Sequence, residues 1–462
     1  MTTAAPSVTA RVAPGPRSLP LVGALPQIRR DPLGFLMGCH REYGDVVRNK
    51  IGPKASFLIT HPDGVKHVLQ EHVRNYTKDH VSYAMVRWVV GDGLLTSQGD
   101  TWLRQRRLAQ PAFHRQRIAA LGEVMVRRAE ELADEWEAAA AAGRQVSVGQ
   151  DMMRLALQIV GDALFGTNVA AQAAVISRNF DLLSEQFVTR FRTGNVLPPV
   201  LPTRYNREWK RALQEMNEVV YAIIAERRRR NEDTGDLLSM LMLARDEETG
   251  EQMSDKQLRD EVITMLIAGH ETTATALTWA LGLLDANPAA AAKLYAEVDA
   301  VLGDRRATAA DLPALPYTRM VIDETMRLYP PVYIISRTVV ADDAVGGYRI
   351  PGGSWADISA YVTHRHPAFW PDPERFDPER FTPEAAAARH KYAYIPFSTG
   401  PRMCIGNSFA LMEATLALAT VARRLRLRLP DGRLPDPEPL VTLRPRGGMP
   451  MVPERRPVPA TA

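Results

Sequence analysis

The sequence predicts a mainly α-helical chain with small β-sheets. Three observations carry that prediction. Apolar residues recur at the helical period through long stretches, among them 101–143, 207–231 and 255–285. Alternating, branched runs of strand type are confined to VVRNKIGPKASFLITH near the start and to short pieces after Pro330. No internal repeat is visible.

The elements follow in order. The first 22 residues contain Pro6, Pro14, Pro16 and Pro20 and lack the apolar core of a signal peptide, so they read as a partly disordered tail. DPLGFLMGCHREY (31–43) has helical spacing. The Gly-Pro break in VVRNKIGPKASFLITH marks a hairpin. Helices are expected over 101–143, 150–165, 170–190, 207–231, 235–245, 255–285, 288–302 and 316–328. Past Pro330, strand-like YIISRTVV and YRIPGGSWADISA alternate with turns, and 367–383 is rich in proline. A last strong helix is expected over 407–424, before VTLRPRGGMPMVP reads as strand and turn.

At 462 residues and 45% hydrophobic, the chain can bury a large core, and length alone would allow two or three domains. With 57 basic against 53 acidic residues, a formal +4, charge does not mark a nucleic-acid binder. The run ERRRR (226–230) reads as the solvated end of a helix. There is no run of about 18 apolar residues, hence no obvious transmembrane anchor. The two cysteines, Cys39 and Cys404, exclude a disulfide framework and a four-cysteine zinc site, and fit a reduced, cytoplasmic protein. Cys39 reads as a buried helix residue.

Cys404 lies in FSTGPRMCIG (397–406). Gly400 and Gly406 permit close backbone approaches, and Pro401 restricts the chain. A helix is expected to begin just beyond, and free N–H groups at a helix start stabilise a thiolate. A thiolate is a strong haem-iron ligand that favours O–O cleavage. Arg402 would pair with a propionate, and Phe397 would shield the sulfur. Taken alone, the loop is as compatible with a buried, inert thiol, and less so with a redox or nucleophilic cysteine.

The segment resembles the haem-binding signature of the cytochrome P450 family, with its fixed positions at Phe397, Gly400, Arg402, Cys404 and Gly406. Three other motifs are similar to those of the family and occur in its order. AGHETT, inside 263–281, resembles the oxygen-activation motif. By itself it is a helix with a polar edge, where the Thr272 hydroxyl can bond back to the Ala268 carbonyl and Gly269 weakens the helix. The resemblance implies that Ala268 and Gly269 line the cofactor, and that Glu271 and Thr272 form an acid–alcohol pair delivering protons. DETMRLYPP places Glu324 and Arg327 on one helix face. The resemblance makes them a buried structural triad with Arg380 of FDPERF. TWLRQRR places Trp102 and Arg106 on one face. The resemblance assigns both, with Arg337, to the haem propionates.

The resemblance implies a triangular helical prism around a buried haem, with a long central distal helix, as a single oxygenase domain over 23–455 between tails 1–22 and 456–462. It implies a monomeric monooxygenase using haem b with an axial Cys404 thiolate and O2. With no flavin, nicotinamide or iron–sulfur motif in the chain, electrons from NAD(P)H would arrive through a separate ferredoxin and ferredoxin reductase. Segments that the family uses for substrate contain Tyr83, Met85 and Trp88 in a loop before Trp102, then Phe187, Phe191, Met265, Val332, Tyr333, Ile334, Ile335 and Met449. They are mostly apolar and favour a hydrophobic small molecule, a terpenoid first, then a fatty acyl or polyketide compound. The alternatives are a peroxide-driven peroxygenase and a non-catalytic haem sensor. Neither needs the Glu271–Thr272 pair.

Overall fold

The computed structural model describes residues 10–166, 175–176, 178–179, 182–183, 185–186, 189, 201–230, 235–246 and 248–456. Phe187, Phe191, most of the helix expected over 170–190 and the two chain ends lie outside them. The protein is mostly helical with small sheets. The chain divides into two compact units, one holding residues up to Tyr83 with Tyr333–Glu374 and Ala388–Cys404, the other holding Ala84–Val332, Arg375–Ala387 and Ile405 onward.

The first unit is built on a five-stranded sheet, in the order Val46–Ile51, Lys54–Ile59, Trp355–Ile358, Ile335–Val339, Tyr76–Thr77. Only the Lys54–Ile59 and Trp355–Ile358 pair is parallel. Side chains alternate across the sheet. Phe57 and Ile59 therefore enter a core with Val65, Val68, Leu69, Ile335, Val339 and Ile358. Leu58, between them, turns to the opposite face with Leu36, Cys39, Val47 and Val362. Burial pushes the Cys39 thiol up to about 11, with Glu42 adding to the effect. The proline-rich start is tied down from Arg11. Its N–H donates to the Gly347 carbonyl at 3.1 Å, and Arg48 N–H donates to the Pro14 carbonyl at 2.7 Å.

Two helices differ from the sequence reading. VSYAMVRWVV, read as a loop, forms the helix Val81–Val90, which stops at Gly91 with φ +73°. The run 101–143 is broken into Gly99–Ala109, Gln110–Phe113, Arg115–Ala120 and Gly122–Ala141. Pro111 cannot supply the N–H that a continuous helix needs.

The second unit packs around the 32-residue helix Asp255–Ala286. It opens with a full capping box between Ser254 and Gln257. Val148–Phe165, Pro316–Leu328 and Asn407–Arg424 pack against it. From Leu258 to Leu284 it is buried except at Ile267, Ala268, Gly269 and Thr272. Those four positions share one stretch of the helix surface.

Glu413 on Asn407–Arg424 has no exposed surface, and the Thr273 hydroxyl faces it. Burial raises its carboxyl well above the ordinary 4.5, against the smaller pull of Thr273. The folded protein thus keeps a proton that the unfolded chain releases. This contribution to stability is complete below about pH 4.5 and is lost as pH rises toward the folded value. Glu413→Gln is expected to resist urea better than the parent at pH 8 and equally at pH 4. Parallel urea titrations at the two pH values check this.

Candidate functional site

In the first unit, residues 397–404 form a tight loop around the short turn Gly400–Arg402. Cys404 N–H donates to the Phe397 carbonyl, and Met403 N–H to the Gly400 carbonyl, both at 3.0 Å. The backbone at Cys404 is thereby held while its side chain stays exposed. Gly400 has φ +70°, and a Cβ there would sit 2.1 Å from the Leu69 carbonyl oxygen. Only glycine meets both demands. Gly400→Ala combines left-handed strain of roughly 1–2 kcal/mol with that collision. A lower melting temperature and a reduced haem-to-protein ratio are expected.

Beside this loop the first unit gathers cations. Arg337 is buried; its Nη1 donates to the Tyr83 hydroxyl at 2.8 Å and to the Ser336 carbonyl at 2.9 Å. Lys78 is buried too, its Nζ 5.1 Å from the centre of the Tyr83 ring. Burial holds the Lys78 ammonium well below its ordinary range, and Arg337 and Arg402 push it lower still. Two guanidinium groups and a lysine whose charge burial disfavours are a setting that a nearby anion would stabilise. A dicarboxylate such as haem fits that donor set. Arg337 and Arg402 were legible in the sequence, but Lys78 was not: a single lysine in NYTKDH carries no motif, and only its burial distinguishes it.

In the second unit, the exposed stretch of the long helix is where AGHETT falls. Thr272 Oγ1 donates to the Ala268 carbonyl at 2.7 Å, the i−4 bond its position suggests. Glu271 faces elsewhere. Its Oε1 accepts from Thr442 Oγ1 at 2.7 Å and from Arg444 Nη2 at 2.6 Å. The two side chains of the expected pair are thus held by different partners. Neither Thr442 nor Arg444 was found from the sequence, because VTLRPR lies some 170 residues away with no recognisable pattern. His270 is buried, with Nδ1 3.3 Å from the Leu266 carbonyl oxygen, and burial lowers its pKa. Trp102 and Arg106 lie four apart on Gly99–Ala109, both partly exposed.

The structure brings Glu324, Arg327 and Arg380 together. Arg327 donates to both Glu324 oxygens, at 2.6 and 2.8 Å, and Asp377 N–H donates to Glu324 Oε1 at 2.8 Å. Arg380 Nε stands 3.6 Å from the same carboxylate. Burial pushes the Glu324 carboxyl up, and Arg327 pulls it back.

The residues expected to line a substrate pocket differ in burial. Trp88 and Val332 reach the surface, Tyr333 is partly buried, and Met85 and Met265 are buried. Tyr83 belongs with the cations described above. Two expectations are corrected. Met449 has 0% exposure and packs on Gly282, so it has no surface to offer a ligand. Ile335 is in the core on one face of the first unit's sheet, while Ile334, which stays partly exposed, packs beside Leu36 and Cys39 on the other. An apolar stripe fills core before it lines a cavity, and Met449 and Ile335 do so.

A family model described as Cytochrome P450 matches residues 13–451. Among curated relatives, cyclooctatin synthase of Streptomyces melanosporofaciens is 41% identical, over 96% of this chain and 95% of that one. Pentalenene oxygenase of Streptomyces avermitilis is 34% identical, over 91% and 92%. A crystal structure of the cytochrome P450DA heme domain superposes with a TM-score of 0.88 at 30% identity, covering 97% of this chain and 98% of that one. The chain belongs to the cytochrome P450 family. It is a monooxygenase that works with haem iron and O2. Among the described residues no helix is long and apolar enough to cross a membrane.

Proposed function

We propose that the chain oxygenates a terpenoid, that the Cys404 thiolate would hold the haem iron, and that electrons from NAD(P)H are passed by a separate ferredoxin and ferredoxin reductase. The observation that carries the ligand assignment is the exposed Cys404 side chain on a backbone-pinned loop in the unit that gathers Lys78, Arg337 and Arg402. The substrate class rests on relatives named cyclooctatin synthase, cyclooctat-9-en-7-ol 5-monooxygenase and pentalenene oxygenase, at 41%, 37% and 34% identity.

Haem, when bound, supplies the electron transfer and oxygen-insertion chemistry. The protein's residues hold it and meter protons. Lys78, Arg337 and Arg402 would neutralise its propionates, with Trp102 and Arg106 as further contacts. Ala268 and Gly269 add no bulk to the exposed helix surface, so a small reactant can approach there. Thr272 would give the proton of Oγ1 after turning from the Ala268 carbonyl. Glu271 would restore it, and for that the grip of Arg444 and Thr442 must loosen or a water must bridge.

Two measurements test this reading. Reduced protein exposed to carbon monoxide should show the strongly red-shifted Soret band of thiolate ligation, and cyclic terpenes should displace water from the haem spectrum. Absence of the band from folded, haem-loaded protein overturns the ligand assignment; indifference to every terpene beside a response to fatty acyl or polyketide compounds overturns the substrate class. Thr272→Ala should retain haem and consume NAD(P)H while product per NAD(P)H falls about tenfold or more and peroxide rises. Loss of a positioned proton donor typically costs 10²–10⁴ in rate. Unchanged coupling would remove Thr272 from the relay.

A further inference from the structure

The turn behind the cysteine loop carries a second set of ligand-type side chains. The helix Pro62–Lys66 widens into a π-turn at His67–Glu71, closed by His72 N–H donating to the His67 carbonyl at 2.8 Å. Residues five apart in an α-helix diverge by about 140°. The wider π-turn brings them into line, and such turns are frequent at functional sites. The His67 and His72 rings accordingly stack, with centroids 3.8 Å apart and planes at 16°.

Both rings bring a nitrogen near one carboxylate oxygen. His67 Nε2 is 2.9 Å from Asp343 Oδ2, and His72 Nδ1 is 3.8 Å from it. The three ligand atoms lie within 4.8 Å of one another. A hydrogen-bonded His–Asp pair accounts for His67. It does not account for His72, whose nitrogen faces an oxygen that His67 and the Tyr76 hydroxyl, at 2.9 Å, already engage.

We propose that His67, His72 and Asp343 bind a divalent transition ion of the zinc type. Two imidazoles and a carboxylate suit zinc, with water as the fourth ligand. Ligand lengths of 2.0–2.1 Å place tetrahedral ligand atoms about 3.3 Å apart. The two measured separations bracket that value, and the His72 ring, stacked on His67, would turn to direct its nitrogen at the ion. The Tyr76 hydroxyl donates to the same oxygen and would share it with the ion, while Ala344 N–H holds the other oxygen at 2.8 Å. The His72 side chain is 49% exposed, against 20% for His67 and 14% for Asp343, so the ion would enter past His72.

A similar group, His40, Asp45 and His366, fails on proton bookkeeping. Ala368 N–H donates to His366 Nδ1 at 3.2 Å, so the proton sits on Nε2, which faces Asp45 at 3.0 Å. An ion there would have to strip the ring to an imidazolate. Among the described residues no backbone N–H imposes that tautomer on His67 or His72.

The ion would bear on the cysteine loop. Leu69, within the same π-turn, presents the carbonyl that backs Gly400, and Gln70 Oε1 accepts from the Tyr392 hydroxyl at 2.5 Å. The test uses tag-free, haem-loaded full-length protein freed of metal by a chelator and dialysed against buffered Zn2+. One equivalent is expected at micromolar free zinc, with a zinc-edge X-ray absorption spectrum showing nitrogen and oxygen ligands only. His72→Ala and His72→Gln should melt like the parent without zinc and bind it at least tenfold more weakly. Asp343→Asn should also weaken binding. No stoichiometric uptake by the parent, or equal uptake by both His72 variants, overturns the site.

Discussion

Arg327→Leu is expected to yield little folded, haem-loaded protein. The substitution leaves the Glu324 carboxylate fully buried and without its bidentate partner, while Asp377 N–H and Arg380 stay beside it. Breaking a buried pair from one side costs about 3–5 kcal/mol. A whole domain is typically stable by about 5–15 kcal/mol. Asp377 and Arg380 belong to the same knot, and the Arg375 carbonyl loses the bond from Arg327 Nη2 at 3.0 Å, so the loss should spread through residues 375–381. The double variant Glu324→Met with Arg327→Met is the informative control. Removing both charges removes the stranded one, and the double change should cost less than the single. Urea midpoints and haem content of the two proteins decide the matter; a single variant as stable as the parent would show that the knot contributes nothing.

Cys404→Ser should abolish the red-shifted Soret band of the reduced carbon monoxide complex and bring product formation below detection, while the fold survives. Survival follows from the structure. What holds the backbone at this residue is a bond to the Phe397 carbonyl, which serine keeps. Loss of the band with an unchanged melting temperature therefore reports ligation rather than unfolding. A serine variant that retains the band would mean that another group binds the iron.

How much of this could be read from the letters depends on how far apart the partners are. Pro288–Leu302, Pro316–Leu328 and Asn407–Arg424 have the expected bounds, because proline opens the first two and Gly406 precedes the third. Val81–Val90 was missed because its branched and aromatic residues have no strong intrinsic preference for helix. At the site, local motifs stood out: Cys404 with its glycines, Thr272 with Ala268, Glu324 with Arg327. What stayed hidden was every contact made by an isolated residue with a distant one, such as Lys78 with Arg337, Glu271 with Arg444 and His72 with Asp343. One sequence contains no signal for such pairs, since the fold alone joins them.

The parallel pairing of Lys54–Ile59 with Trp355–Ile358 has a consequence for biosynthesis. The two strands are separated by about 300 residues, so the early hairpin emerges from the ribosome long before its neighbour exists. Until then an apolar edge carrying Phe57, Leu58 and Ile59 lies open, and such edges invite association between nascent chains. Slow translation of the middle of the chain, or a shortage of chaperones, should therefore reduce soluble yield, and co-expression with a holdase that covers the first 80 residues should restore it.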